Sequence, residues 1–146
     1  MKKGPVRVLL ADDDRDDCLL FEEALGELAV STSLSVVNDG EQLLNTLLRK
    51  EPLPEVLFLD LNMPRKNGFE CLSEIMANDR INRLPVIIFS TSFDPDVARL
   101  LHSKGARYYI RKPEEFENLK KVVNKGLDQV FQQAETISFS NFVLQP

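Results

Sequence analysis

Side chains suited to phosphate chemistry follow directly on apolar runs at four places in this sequence. Asp12, Asp13 and Asp14 follow Val8-Leu9-Leu10-Ala11; Asp60 follows Val56-Leu57-Phe58-Leu59; Ser90 and Thr91 follow Val86-Ile87-Ile88-Phe89; Lys112 follows Tyr109-Ile110-Arg111. Carboxylates brought close together repel and raise one another's pKa unless a cation sits among them. A hard divalent ion resolves that conflict. Mg²⁺ fits best, because it takes oxygen ligands in octahedral geometry, keeps several waters and pairs with phosphate. With an ammonium on the other side, such a site suits a transferring phosphoryl group whose equatorial oxygens carry the charge. Aspartate is one of the side chains that form covalent phosphoryl intermediates, so the set points to an aspartyl phosphate.

Each segment alone has a plainer reading. Asp12 to Asp17, acidic at every position but Arg15, is by itself a solvated loop with a helix N-cap favoured by the macrodipole. Lys112 before Pro113 is an ordinary exposed lysine at a helix start, and Ser90-Thr91-Ser92 is a turn. Tyr109 is core or half-buried strand packing. Their joint placement at the ends of apolar runs favours the chemical reading.

The runs at 6–11, 56–60, 86–90 and 107–111 are short, rich in Val, Ile, Leu and aromatics, and separated by stretches of helical spacing, as strands buried in a parallel sheet are. A weaker run, Leu34 to Asn38, ends at Asp39-Gly40 and supplies the second strand. Cys18, Phe21, Leu25 and Leu28 make an amphipathic helix with Glu22, Glu23 and Glu27 on its other face. Leu44, Leu47 and Leu48 mark a second helix, and Leu72, Ile75 and Met76 a third. A fourth contains Val97, Leu100 and Leu101 and opens on Asp94-Pro95, an N-cap followed by proline at the first helical position. Phe116, Leu119, Val123, Leu127 and Val130 give the longest. Five strand-helix units predict an α/β fold, a doubly wound five-stranded parallel sheet with helices on both faces. In such open sheets ligands sit at the carboxyl ends of the strands, where the acids, hydroxyl and lysine fall.

Length and composition narrow the rest. A chain of 146 residues suits one domain, and no apolar run approaches the ~20 residues of a membrane-spanning helix. The opening Met-Lys-Lys-Gly-Pro leads into an apolar stretch too short for a secretory signal, which predicts a cytoplasmic protein. Cys18 and Cys71 lack metal-ligand spacing and are read as buried reduced thiols. A net charge of -5 argues against nucleic acid as a partner. His102 is read as a surface residue without a role. The last helix fades near Glu135, dividing a domain at 1–135 from a tail at 136–146 with no effector domain after it. That tail is too apolar for a solvent tail and too short to fold alone; it docks on its own domain or a partner protomer, or it frays.

Val8-Leu9-Leu10-Ala11-Asp12-Asp13-Asp14, Val56 through Asp60-Leu61-Asn62-Met63-Pro64 with Asn67-Gly68, Ser90-Thr91, and Tyr109-Ile110-Arg111-Lys112-Pro113 together resemble the receiver domain family of two-component response regulators. The similarity runs from about Val6 to the end of the last helix. It implies a (βα)5 flavodoxin-like sheet of order 2-1-3-4-5. It implies that Asp60 is the phospho-acceptor, that Asp13 binds Mg²⁺ directly with Asp12 supporting through water, and that the backbone carbonyl of Asn62 completes the protein ligands. Ser90 matches the hydroxyl that bonds the phosphoryl oxygen, and Lys112 the lysine that pairs with it. Ser90, Thr91 and Tyr109 would form the switch, repacking the surface of helix four, strand five and helix five, with Thr91 covering the phosphoryl group against water. The acidic loop with Leu20-Phe21-Glu22-Glu23-Ala24-Leu25 is most similar to small stand-alone regulators of phytochrome-type kinases.

The resemblance implies a phosphoryl donor that is a histidine kinase or histidine phosphotransfer protein. It also implies a downstream protein target, and a monomer or a phosphorylation-linked homodimer. The chain would catalyse only its own phosphorylation and dephosphorylation, and so is not a turnover enzyme. Alternatives are a degenerate receiver acting as a phosphorylation-independent docking module, or an aspartyl-nucleophile phosphohydrolase. The phosphohydrolase fits less well, because Asp60-Leu61-Asn62 lacks a second acid to protonate a leaving group. A nucleotide-binding module would want a Gly-rich loop after the first strand.

Overall fold

A computed structural model describes residues 4–49, 52–132 and 137–146. Strands and helices alternate as β1 (Val6–Ala11), α1 (Arg15–Gly26), β2 (Thr32–Val37), α2 (Gly40–Arg49), β3 (Val56–Leu59), α3 (Gly68–Ala77), β4 (Val86–Ser90), α4 (Pro95–Ser103), β5 (Tyr108–Arg111) and α5 (Phe116–Gln132). A short 3₁₀ turn, Phe139–Asn141, and a two-residue strand β6, Val143–Leu144, follow.

Among the described residues the sheet has six strands in the order β2-β1-β3-β4-β5-β6, and every pair is parallel. The α/β class and the 2-1-3-4-5 order hold; the expected count of five strands is corrected to six. Two residues are too few to carry an alternating pattern. What makes β6 a strand is the free edge of β5, where the Tyr109 N–H donates to Phe142 O at 3.0 Å. The expected division between domain and tail at 135/136 lies outside the described residues, but 137–146 rests on the domain.

Because successive strand residues face opposite ways, the fully buried β3 and β4 feed a core on each face. Leu9, Leu57, Leu59, Val86 and Ile88 pack with α2, α3 and α4; Val8, Leu10, Phe58, Ile87 and Phe89 pack with α1 and α5. On the second face Phe21, Phe58 and Phe89 meet edge to face at 4.9 to 6.1 Å, an arrangement that adds to area burial.

Helix starts are set by local chemistry. Asp94 accepts from the N–H groups of Asp96 and Val97, with Pro95 at the first helical position. Asn67 and Glu70 form a reciprocal capping box on α3. Asp14 caps α1 by accepting from the Asp17 N–H. His102 departs from its expected surface position. It is half-buried, engages Ile137 O through Nε2 and packs against Phe139 and Phe142, because the tail closes over α4. No helix among the described residues is long and apolar enough to cross a membrane.

Candidate functional site

Backbone hydrogen bonds of the sheet fix the strand ends against one another. The Asp12 N–H donates to Val37 O at 3.0 Å, the Asp60 N–H to Ala11 O at 2.9 Å, and the Lys112 N–H to Ser90 O at 2.8 Å. Residues far apart in sequence thus meet at one edge. Asp12, Asp13 and Asp60 bring carboxylate oxygens within 4.8 Å of one another, with Asp12 and Asp60 buried and Asp13 exposed.

Lys112 Nζ reaches into this group, lying 2.7 Å from Asp12 Oδ2, 2.9 Å from Asp17 Oδ2 and 3.9 Å from Asp60 Oδ2. Asp60 as a whole is only 6% exposed. Burial pushes its pKa up to about 6; Lys112 and the N–H groups of Asn62 and Leu61 pull the other way, while the charge on Asp12 raises it further. Burial alone would lower the pKa of Lys112, but its hydrogen bonds to Asp12 and Asp17 outweigh that and raise it. Lys112 is therefore charged and shared among three acids.

Sharing leaves the cluster short of positive charge. Two buried carboxylates, a third open to water at Asp13, and hard oxygen donors only, are the donor set a divalent cation takes. Asn62 is exposed at the rim, and its N–H bonds the Asp60 carboxylate. The loop carrying it is held by two close backbone approaches. A Cβ on Gly68 would stand 2.5 Å from Asp60 O, and one on Gly40 would stand 2.2 Å from Lys66 O. Those positions admit no side chain without moving the loop.

Ser90 is fully buried at the end of β4. Its hydroxyl lies 3.3 Å from Ser92 Oγ and accepts from the Ser92 N–H at 3.3 Å. Thr91 is exposed, and its carbonyl accepts from Arg111 Nε at 3.3 Å. Tyr109, 1% exposed, donates its hydroxyl to Ser92 O and packs between Phe93 and Phe142, at centroid distances of 5.3 and 6.4 Å. Ser92 therefore links the Ser90 hydroxyl to the Tyr109 ring.

Asp12, Asp13, Asp60 and Lys112 converge as their strand-end positions predict. The sequence pattern does not distinguish Asp17, Ser92 or Phe142. Asp17 sits in an acidic run that reads as solvated loop, and what separates it from its neighbours is its contact with Lys112 Nζ at 2.9 Å. Cys18 and Cys71 are buried and free, with thiols pushed up to about 11 chiefly by burial, and so are poor nucleophiles at neutral pH.

A family model described as the response regulator receiver domain matches residues 8–124. The probable methanogenesis regulatory protein FilR2 of Methanothrix harundinacea is 31% identical over 127 residues, covering 84% of this chain and 82% of that protein. The response regulator Rcp1 of Synechocystis sp. is 28% identical over 138 residues, covering 91% and 93%. Among solved structures, the phosphorylated cyanobacterial phytochrome response regulator RcpA aligns with a TM-score of 0.81 at 27% identity, over 90% of this chain and 97% of that one. The Mn²⁺-bound form of Rcp1 aligns with a TM-score of 0.76 at 28% identity, over 92% and 98%.

Proposed function

The chain belongs to the response regulator receiver domain family, and on that premise we propose that Asp60 accepts a phosphoryl group from a histidine kinase or histidine phosphotransfer protein with Mg²⁺ as cofactor. The observation that carries this reading is the meeting of the Asp60, Asp12 and Asp13 carboxylates within 4.8 Å, with the Lys112 ammonium 3.9 Å from Asp60 Oδ2.

In the transfer an Asp60 oxygen forms the new O–P bond as the phosphorus–nitrogen bond to the donor's histidine breaks. Asp13 and Asp60, with the Asn62 carbonyl, would hold Mg²⁺ directly, and Asp12 through water. The bound cation supplies charge neutralisation on the phosphoryl oxygens. Lys112 neutralises a further oxygen. The Ser90 hydroxyl turns from Ser92 to donate to the phosphoryl group, creating charge-assisted bonds. That turn releases Ser92, whose carbonyl holds the Tyr109 hydroxyl, so Ser90, Thr91 and Tyr109 move together and repack the surface of α4, β5 and α5. Such a two-state element is biased by a local charge event.

The chain would act as a cytoplasmic regulator, with a receiver domain at 1–135 and a tail at 136–146. It would catalyse its own phosphorylation and dephosphorylation, and work as a monomer or a phosphorylation-linked homodimer. The similarity to the phytochrome response regulator RcpA favours a phytochrome-type kinase as donor. Incubation with acetyl phosphate and Mg²⁺ tests the acceptor role: intact mass should rise by one phosphoryl group, and Asp60→Asn or removal of the cation should abolish the gain. An unmodified wild-type chain would point to a docking module; steady phosphate release from small substrates would point to a hydrolase.

A further inference from the structure

The ammonium of Lys112 is not aimed chiefly at Asp60. Charge-assisted N–H···O bonds run to about 2.7–2.9 Å, and by that measure Lys112 bonds Asp12 at 2.7 Å and Asp17 at 2.9 Å but not Asp60 at 3.9 Å. Asp17 comes from α1, and its position is fixed locally. Its own N–H donates to the capping carboxylate of Asp14 at 3.0 Å. The Phe89 ring centroid lies 5.3 Å from Nζ, and the lysine side chain is 8% exposed against 29% for Asp17. The ammonium is thus enclosed, with α1 supplying one of its two close anions.

We propose that Asp17 is a positioning residue that holds Lys112 between α1 and Asp12, and that it competes for the lysine with a phosphoryl group on Asp60. This rests on the reading of Asp60 as acceptor. An ammonium has three donors and no acceptor. In the structure two of them are committed to Asp12 and Asp17, which pull it away from Asp60. A phosphoryl group with three acceptor oxygens can engage the third donor, but it competes with the Asp17 carboxylate for the position of the lysine, whose Nζ stands 2.9 Å from Asp17 Oδ2 and 3.9 Å from Asp60 Oδ2. The Asp17–Lys112 pair therefore lowers the affinity of the site for a phosphoryl group and couples α1 to the state of Asp60.

Beryllium trifluoride with Mg²⁺, a phosphoryl mimic that bonds a carboxylate oxygen, measures this without turnover. Asp17→Asn should bind it roughly three- to tenfold more tightly than wild type, the scale of a partly exposed ion pair. Asp17→Ser provides a second removal should the amide find a new bond to Lys112. Asp16→Asn takes the same charge from the same turn of α1 without touching the lysine, and should stay within about twofold of wild type; Asp17→Glu should restore the wild-type affinity. The side-chain ammonium resonance of Lys112 should be protected from exchange in wild type and Asp17→Glu and broadened in Asp17→Asn, which a merely structural role of Asp17 would not produce. Equal affinities of Asp17→Asn and Asp16→Asn, or weaker binding by Asp17→Asn, would overturn the proposal while leaving Asp60 as acceptor. Failure of the wild-type chain to bind the mimic would overturn both.

Discussion

At the scale of single residues, Asp60 is held in a state that costs the fold something. Burial pushes its pKa from 3.8 up to about 6, so the folded chain favours the protonated acid more than the unfolded chain does. Its contribution to stability is then fully present below about pH 4 and is lost as pH rises through 6. In cation-free buffer Asp60→Asn should be more stable than wild type by about 1–3 kcal/mol at pH 7.5, with the two converging near pH 4, as urea denaturation at each pH would measure. Adding Mg²⁺ should narrow the gap, because the ionised acid then gains a partner that the amide lacks. A gap independent of pH would show that Asp60 is not the titrating group. Thr91 is exposed beside the buried Ser90, and in the proposed switch it shields the phosphoryl group from water. Thr91→Ala should speed dephosphorylation, and an unchanged rate of phosphoryl loss would remove that role.

At the scale of elements, the loop from Asp60 to Gly68 is positioned by backbone contact. Its tightest points are glycines at which a Cβ would collide with main chain. Gly68→Ala should push the Asp60 carbonyl out of place and destabilise the fold by about 1–3 kcal/mol, the usual cost of overpacking. It should also weaken cation binding by calorimetry. Retained cation affinity would mean that the loop adapts. The strand-helix alternation is legible in the sequence because the buried strands are continuous apolar runs, and α4 because Asp94-Pro95 caps it in the chain itself. The weaker run predicted at 34–38 is β2 at Thr32–Val37; as the outer strand it is largely exposed, which blurs its pattern. Asp17 could not be assigned from spacing alone, since only the cap on Asp14 and the arrival of Lys112 from β5 separate it from the solvated acids around it.

At the scale of the whole molecule, the tail makes the sheet larger than its repeating units predict. Phe142 is fully buried, stacks on Phe139 with ring centroids 5.9 Å apart, and meets His102 on α4 at 5.0 Å. The same residue accepts the Tyr109 N–H, which joins the tail to the strand that carries the proposed switch. Phe142→Ala should weaken tail docking by about 3 kcal/mol, the scale of a buried Phe→Ala change, and speed amide exchange at Tyr109. Undiminished protection there would place the tail's hold elsewhere. The sequence shows the tail to be too apolar for solvent, but not where it goes: a two-residue strand has no period, and its partner edge exists only once β5 is in place. Docked tail, Tyr109, Ser92 and Ser90 then form one run of contacts from the end of β4 to the far edge of the sheet, and whether it is a phosphorylation switch turns on Asp60. The most direct test is borohydride reduction of the chain after acetyl phosphate and Mg²⁺, which converts an aspartyl phosphate to homoserine, followed by peptide mapping. An acceptor at Asp60 predicts homoserine at position 60 and at no other aspartate. Homoserine elsewhere, or none in a chain that has gained phosphoryl mass, would contradict it.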